Sequence, residues 1–194
     1  MPADFDKQQY WHERFTTETS FEWLTPSTTF VSLLEPYLNG LAKSAQILHL
    51  GFGTSDLQTH LRSRGFLNVT NVDYEPLAIE RGREAEQRAF GDVRMTYMVA
   101  DVTQLSLPRQ FDLVIDKSTV DAVSCAGGEA LLRMARGVHR CLAHGGIWIS
   151  LSYSTSRFAV DGLPFNVEVI EKIPTPKIKP SDPDVFHCCY LLRP

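Results

Sequence analysis

The stretch from Ile47 to Tyr74, ILHLGFGTSDLQTHLRSRGFLNVTNVDY, constrains the fold of this chain more than any other part of it. A short apolar run enters a Gly-x-Gly turn, a segment with Leu57 and Leu61 on one helical face follows, and a second apolar run ends in Asp73. Strand, turn, helix and strand in so short a span read as a βαβ unit, whose crossover helix makes the two strands parallel. Ser55 is the expected N-cap of that helix and Gly65 its stop.

The same alternation continues along the chain. Strands are expected at Gln46–Leu50, Val69–Asp73, Val93–Val99, Phe111–Asp116 and Ile147–Ser152, all β-branched or otherwise apolar, as strands buried on both faces should be. EPLAIERGREAEQRAFG reads as a helix with Pro76 in its first turn and Gly91 at its end. GGEALLRMARGVHRCLAHGG repeats Leu131, Met134, Ala135, Val138 and Leu142 at helical spacing. After the fifth strand, FNVEVIEKI and VFHCCYLLRP look extended, with PTPKIKPSDPD between them, and together predict a terminal antiparallel hairpin. The expected architecture is an α/β doubly wound sheet of seven strands, mostly parallel, with an antiparallel C-terminal hairpin strand. With 194 residues, 43% of them hydrophobic, the chain has material for one core. We expect one domain over 1–194, with 1–40 an aromatic-rich helical lid or flank.

Several classes of function are disfavoured. A net charge of −4 opposes non-specific attraction to nucleic acid, which leaves small molecules or proteins as partners. No apolar run approaches the roughly 18 residues of a membrane span, and the start MPADFDKQQYW has no export signal pattern. Cys125, Cys141, Cys188 and Cys189 fit neither a disulfide framework nor a metal knuckle, so a reducing, cytoplasmic setting is expected. The six histidines have no metal-ligand spacing, no metal site is expected, and His49 reads as a core or supporting residue.

Gly51 and Gly53 allow a tight turn and close backbone approach to a ligand. A dinucleotide fingerprint would place a third glycine where Asp56 stands, and a carboxylate there competes with a pyrophosphate. The turn is therefore expected to take an adenosine cofactor without phosphates, S-adenosylmethionine. Asp73 lies 22 residues after Gly51, near the offset of about 20 at which an acid reaches ribose hydroxyls. Asp101, in VADVTQL, is placed to accept from the adenine amino group, with the Val102 backbone at the ring edge.

On these residues, and on YWHERF, FEWL and FDLVIDKSTVDAV, nearly the whole chain resembles the class I seven-strand methyltransferases. Within them it resembles the methyltransferase-like lysine methyltransferases of eukaryotic elongation factor 1A. The resemblance implies a Rossmann-like fold and cofactor contacts from Trp11, Phe15, Trp23, Gly51, Asp73, Tyr74, Asp101, Val102 and Lys117, with Gly53 in the same turn. Two positions depart from the group: Phe52 replaces a small cysteine, and Ser118 replaces the glycine after the lysine. Trp11, Phe15 and Trp23 are expected either to cover the cationic sulfonium or to pack as the core of an N-terminal helix. A lysine substrate has to lose a proton, for which Asp116 and Asp121 are the candidates; alternatively Lys117 pairs with one of those acids and fixes the loop. The absence of an Asn-Pro-Pro-Tyr type of segment argues against nucleobase and glutamine-amide acceptors. The expected function is protein-lysine N-methylation; the alternatives are methylation of a small molecule and non-catalytic cofactor binding. Pro174, Pro176, Pro180 and Pro183 predict a stiff loop that either contacts a protein substrate or is an inert connection.

Overall fold

The computed structural model describes residues 4–107, 111–179 and 181–194. Helices α1 (Gln8–Thr17) and α2 (Ser27–Leu38) precede the sheet. Then β1 (Ile47–Leu50), α3 (Leu57–Ser63), β2 (Val69–Asp73), α4 (Pro76–Phe90) and β3 (Thr96–Val99) alternate. After β4 (Phe111–Lys117) come α5 (Thr119–Ser124), α6 (Gly128–Cys141), β5 (Leu142–Ser152), β6 (Asn166–Pro174) and β7 (Phe186–Arg193). The strands form one sheet in the order β3-β2-β1-β4-β5-β7-β6. The first five run parallel; β7 is antiparallel to both β5 and β6, so β6 shares the direction of the parallel set. The carboxyl ends of β1 to β6 therefore share one face, where ligands of open α/β sheets bind.

The sheet separates two apolar layers because neighbouring strand residues point to opposite faces. Ile47, Leu113 and Ile115 pack with Phe30, Leu34 and Leu61 on one side. Leu48, Leu50 and Val114 pack with Leu131, Met134 and Trp148 on the other. Burying one such side chain fully is worth about 1.5–3 kcal/mol.

Several expected boundaries move. Ser55 does not cap α3: Asp56 holds the N-cap position without a side-chain bond, and Ser55 is buried in the preceding turn, its N–H on Phe52 O at 3.3 Å. β3 begins at Thr96 and not at Val93, because Glu86 Oε1 already accepts the amides of Arg94 (3.0 Å) and Met95 (3.2 Å) ahead of the ladder. α6 stops at Cys141, short of the glycine pair, and β5 starts at Leu142. A register shift against β4 then absorbs Gly145 and Gly146; a Cβ at Gly146 would lie 2.6 Å from Phe111 O. The helix over Pro76–Phe90 closes on Gly91 in the left-handed conformation, φ 80°, as its sequence predicts.

Candidate functional site

A cavity of about 570 Å³ opens at the carboxyl ends of β1, β2, β3 and β4. Its floor begins at the β1 turn, where Gly51 and Gly53 both have φ 55°. Glycine is required at 51, since a Cβ there would meet Thr119 Oγ1 at 2.4 Å. Thr119 in turn donates to Leu50 O at 2.8 Å, so the turn is clamped against the start of α5.

Asp73, at the end of β2, completes the floor. Its Oδ2 accepts from Gly53 N at 2.9 Å and its Oδ1 from Glu75 N at 3.0 Å. Each oxygen keeps acceptor capacity after these single bonds. Burial pushes this carboxyl up to about 6, against the pull of the backbone donors. Asp101 caps a 3-10 turn at Val102–Gln104. Thr103 N and Thr103 Oγ1 both donate to its Oδ1 at 2.8 Å, and Gln104 Nε2 to its Oδ2 at 2.8 Å. Burial raises Asp101, but these hydrogen bonds outweigh it and hold the group below the usual carboxylate range.

Helix α1 and the segment behind it cover the cavity. Trp11, Phe15 and Trp23 all line it, and their rings interlock: Trp11 lies 5.6 Å from Phe15 and 5.8 Å from Trp23 between centroids. The Arg14 guanidinium stands 4.7 Å from the Trp23 ring centroid. The cover is pinned to the β2 end by Gln8 Nε2, which donates to Tyr74 O at 2.7 Å, and by His12 Nδ1, 3.0 Å from Glu75 Oε1. Thr54 Oγ1 donates to Glu18 Oε1 at 3.0 Å and ties the cover to the glycine turn.

All ten residues expected at the cofactor, Trp11, Phe15, Trp23, Gly51, Gly53, Asp73, Tyr74, Asp101, Val102 and Lys117, line this one cavity. The two candidate bases do not fare alike. Asp116 is fully buried on the sheet side, accepting from Trp148 Nε1 at 2.9 Å and Val120 N at 3.2 Å, and unlike the cofactor candidates it does not line the cavity. Burial places it at about 7. Asp121 does line the cavity, but Ser152 Oγ (2.5 Å), Arg157 Nε (2.9 Å), Tyr153 N (3.1 Å) and Ser118 Oγ (3.1 Å) already occupy its oxygens. It ties the loops at Ser118, Ser152 and Arg157 together.

Lys117 pairs with neither acid. Its ammonium bonds Glu22, Thr25 O (3.1 Å) and Ser27 Oγ (3.4 Å). Three acceptors match three protons, so Lys117 has no donor left for a cofactor. Burial lowers it to about 8. Asp56 also stands elsewhere than expected: its side chain is exposed beside His60, 3.5 Å away, and does not line the cavity. A carboxylate does meet the end of the glycine turn, but it is that of Glu22, which accepts from Asp56 N at 3.1 Å. The motif FEWL singled out Trp23 and passed over Glu22; its partner lies 95 residues away, beyond any local pattern. Ser118 adopts φ 70°, the left-handed turn that a glycine would take without strain. In the β6–β7 loop, Pro180 lies outside the described residues; Lys177 pairs with Asp184 at 2.8 Å and Ile178 is 93% exposed.

A family model described as a methyltransferase domain matches residues 48–150. Methyltransferase srdJ of Neurospora crassa is 63% identical over 200 residues, covering 100% of this chain and 85% of that protein. EEF1A lysine methyltransferase 4 of Mus musculus is 32% identical over 78% of this chain and 63% of its own length. Among solved structures, N-methyltransferase NodS from Bradyrhizobium japonicum in complex with S-adenosyl-L-homocysteine superposes with a TM-score of 0.69 at 16% identity, over 95% of this chain and 98% of that one.

Proposed function

The chain belongs to the methyltransferase domain family and is an S-adenosylmethionine-dependent methyltransferase, and from that premise we propose that it methylates the side-chain amine of a lysine in a protein. The cavity fits the cofactor. Its volume falls within the roughly 300–1,000 Å³ of small-molecule sites. The turn at Gly51 brings backbone to the cavity wall with no room for a side chain at that position. In our reading Asp73 accepts from the two ribose hydroxyls with its remaining lone pairs, while Asp101 and the Val102 backbone take the adenine edge. Trp11, Phe15 and Trp23 face the sulfonium and exclude water. When bound, the cofactor supplies a methyl group on a sulfonium, which a neutral nitrogen takes in line as the bond to sulfur breaks and a thioether is left.

One observation carries the lysine reading. Lys117 on the cavity wall is paired with Glu22, and the lining Asp121 with Arg157, beside Phe21 and Tyr153, which line the cavity 41% and 54% exposed; Arg133, near Asp101, is the other cation of the lining. An alkylammonium chain entering there stacks against aromatic faces and loses its proton more readily as water is stripped from it. No free carboxylate is needed beside it, consistent with the engagement of Asp116 and Asp121. The likeness to EEF1A lysine methyltransferase 4 supports the same acceptor.

Methylation of a small molecule is the second reading, favoured by the short connection between β5 and β6, residues 153–165, which leaves little material for a dedicated substrate domain. Among the described residues no helix is long and apolar enough to cross a membrane, and we propose a cytoplasmic setting. Incubating the purified protein with methyl-labelled cofactor and a cell lysate separates the readings. Label in a protein band is expected. Label only in an extractable metabolite would favour the second reading, and cofactor binding without any transfer would indicate a non-catalytic role.

A further inference from the structure

The segment between α1 and α2, with the first residue of α2, brings three oxygens to one buried ammonium. Lys117 Nζ, at the end of β4, meets the Glu22 carboxylate, Thr25 O and Ser27 Oγ, and its side chain is only 4% exposed. The strand fixes the lysine, because Lys117 pairs with Leu151 of β5 in the parallel ladder. The acceptors all belong to the cover or its exit. Glu22 does more than neutralise: its Oε1 also takes the amide of Asp56 at 3.1 Å, and Ser27 Oγ lies 2.9 Å from both of its oxygens. Leu24, two residues later, adopts φ 66°, a left-handed conformation that a leucine takes only when its surroundings impose it. Trp23 stands between Glu22 and that turn, so the carboxylate fixes the ring's approach to the cavity. By contrast, the anchor on the other side of the cover, His12 with Glu75, has a half-exposed imidazole and holds more weakly.

We propose that Glu22, acting through its ion pair with Lys117, is the positioning residue that holds the aromatic cover closed over the cofactor and so sets how fast cofactor and product leave. It touches no reacting atom. Its role is the same whether the acceptor is a lysine or a small molecule, and its test uses no acceptor. Loss of the carboxylate strands a buried cation, which favours the open cover in which Lys117 regains water.

The experiment is a double-mutant cycle on the full chain, with the dissociation rate of S-adenosylhomocysteine read from the fluorescence of Trp11 and Trp23. Glu22→Ala is expected to raise that rate about tenfold or more, to raise the Kd for S-adenosylhomocysteine with it, and to expose the bond after Arg14 to trypsin. In the Lys117→Met background the same substitution should change the rate by less than about threefold, because the residue acts through Lys117. Glu22→Gln, which keeps the shape of the side chain, serves if the alanine variant fails to fold, with the same expectations. A dissociation rate within about twofold of the parent, or an equal acceleration in both backgrounds, would overturn the proposal.

Discussion

At the scale of the residue, the site depends on carboxylates whose surroundings assign them different tasks. Asp73 is buried at about 6, well above the ordinary 3.8, with open acceptor positions toward the cavity. In the free protein its contribution to stability is complete below 3.8 and is lost as pH rises through about 6. The charged form accepts from ribose hydroxyls more strongly than the protonated one, so cofactor affinity is expected to fall as pH drops below about 6, measured by calorimetry across that range. Asp73→Ala should weaken binding by about 1–3 kcal/mol, and Asp73→Asn should flatten the pH dependence. Unchanged affinity in the alanine variant would move the ribose site elsewhere. Asp116 stands one position before Lys117 on the same strand, and the pleat sends it to the opposite side, onto Trp148. Asp116→Ala is therefore expected to lower stability by about 1–3 kcal/mol in denaturant unfolding while leaving KM for the cofactor unchanged. The glycine turn and Asp73 were legible because their signal is local spacing. The partners of Lys117 and Asp121 were not, because Glu22 and Arg157 reach them from distant segments that only tertiary packing brings close.

At the scale of the element, periodicity identified α3, α4, α6 and each strand but not the short α5, while side chains decided where several of them begin. Glu86 holds the approach to β3 out of the ladder, and the bulge at Gly145–Gly146 lets β5 start early. No strand pattern carries either signal. The N-terminal cover adds a dependence the sequence did not reveal, since it supplies the partner of a lysine on β4. Deleting residues 1–24 should leave a folded sheet domain that retains cofactor about tenfold less well or worse in equilibrium dialysis, and adding Lys117→Met should recover stability but not retention. Equal retention after deletion would show that the aromatic segment is a flank and not a lid. The β6–β7 connection rises from the same face as the cavity, with Ile178 projecting between two lysines. Replacing residues 174–184 with a short Gly/Ser turn is expected to spare cofactor binding and reduce transfer to a protein acceptor; full transfer would place the acceptor against the cover instead.

At the scale of the whole molecule, the strand order and parallel pairing put the ends of β1 through β4 around one cavity, which is why residues scattered from Trp11 to Lys117 converge there. That convergence follows from alternation and parallel pairing, and so was legible in advance. The ion pairs beside the cavity, Glu22 with Lys117 and Asp121 with Arg157, are not encoded the same way, because each joins segments that meet only in three dimensions. The most direct measurement is to give the purified protein isotopically labelled S-adenosylmethionine and lysate proteins, and to locate the label by peptide mass spectrometry. Labelled methyl groups are expected on lysine Nε, reduced strongly by Asp73→Ala. Transfer to a residue other than lysine, or label that persists undiminished in the Asp73→Ala variant, would contradict that expectation.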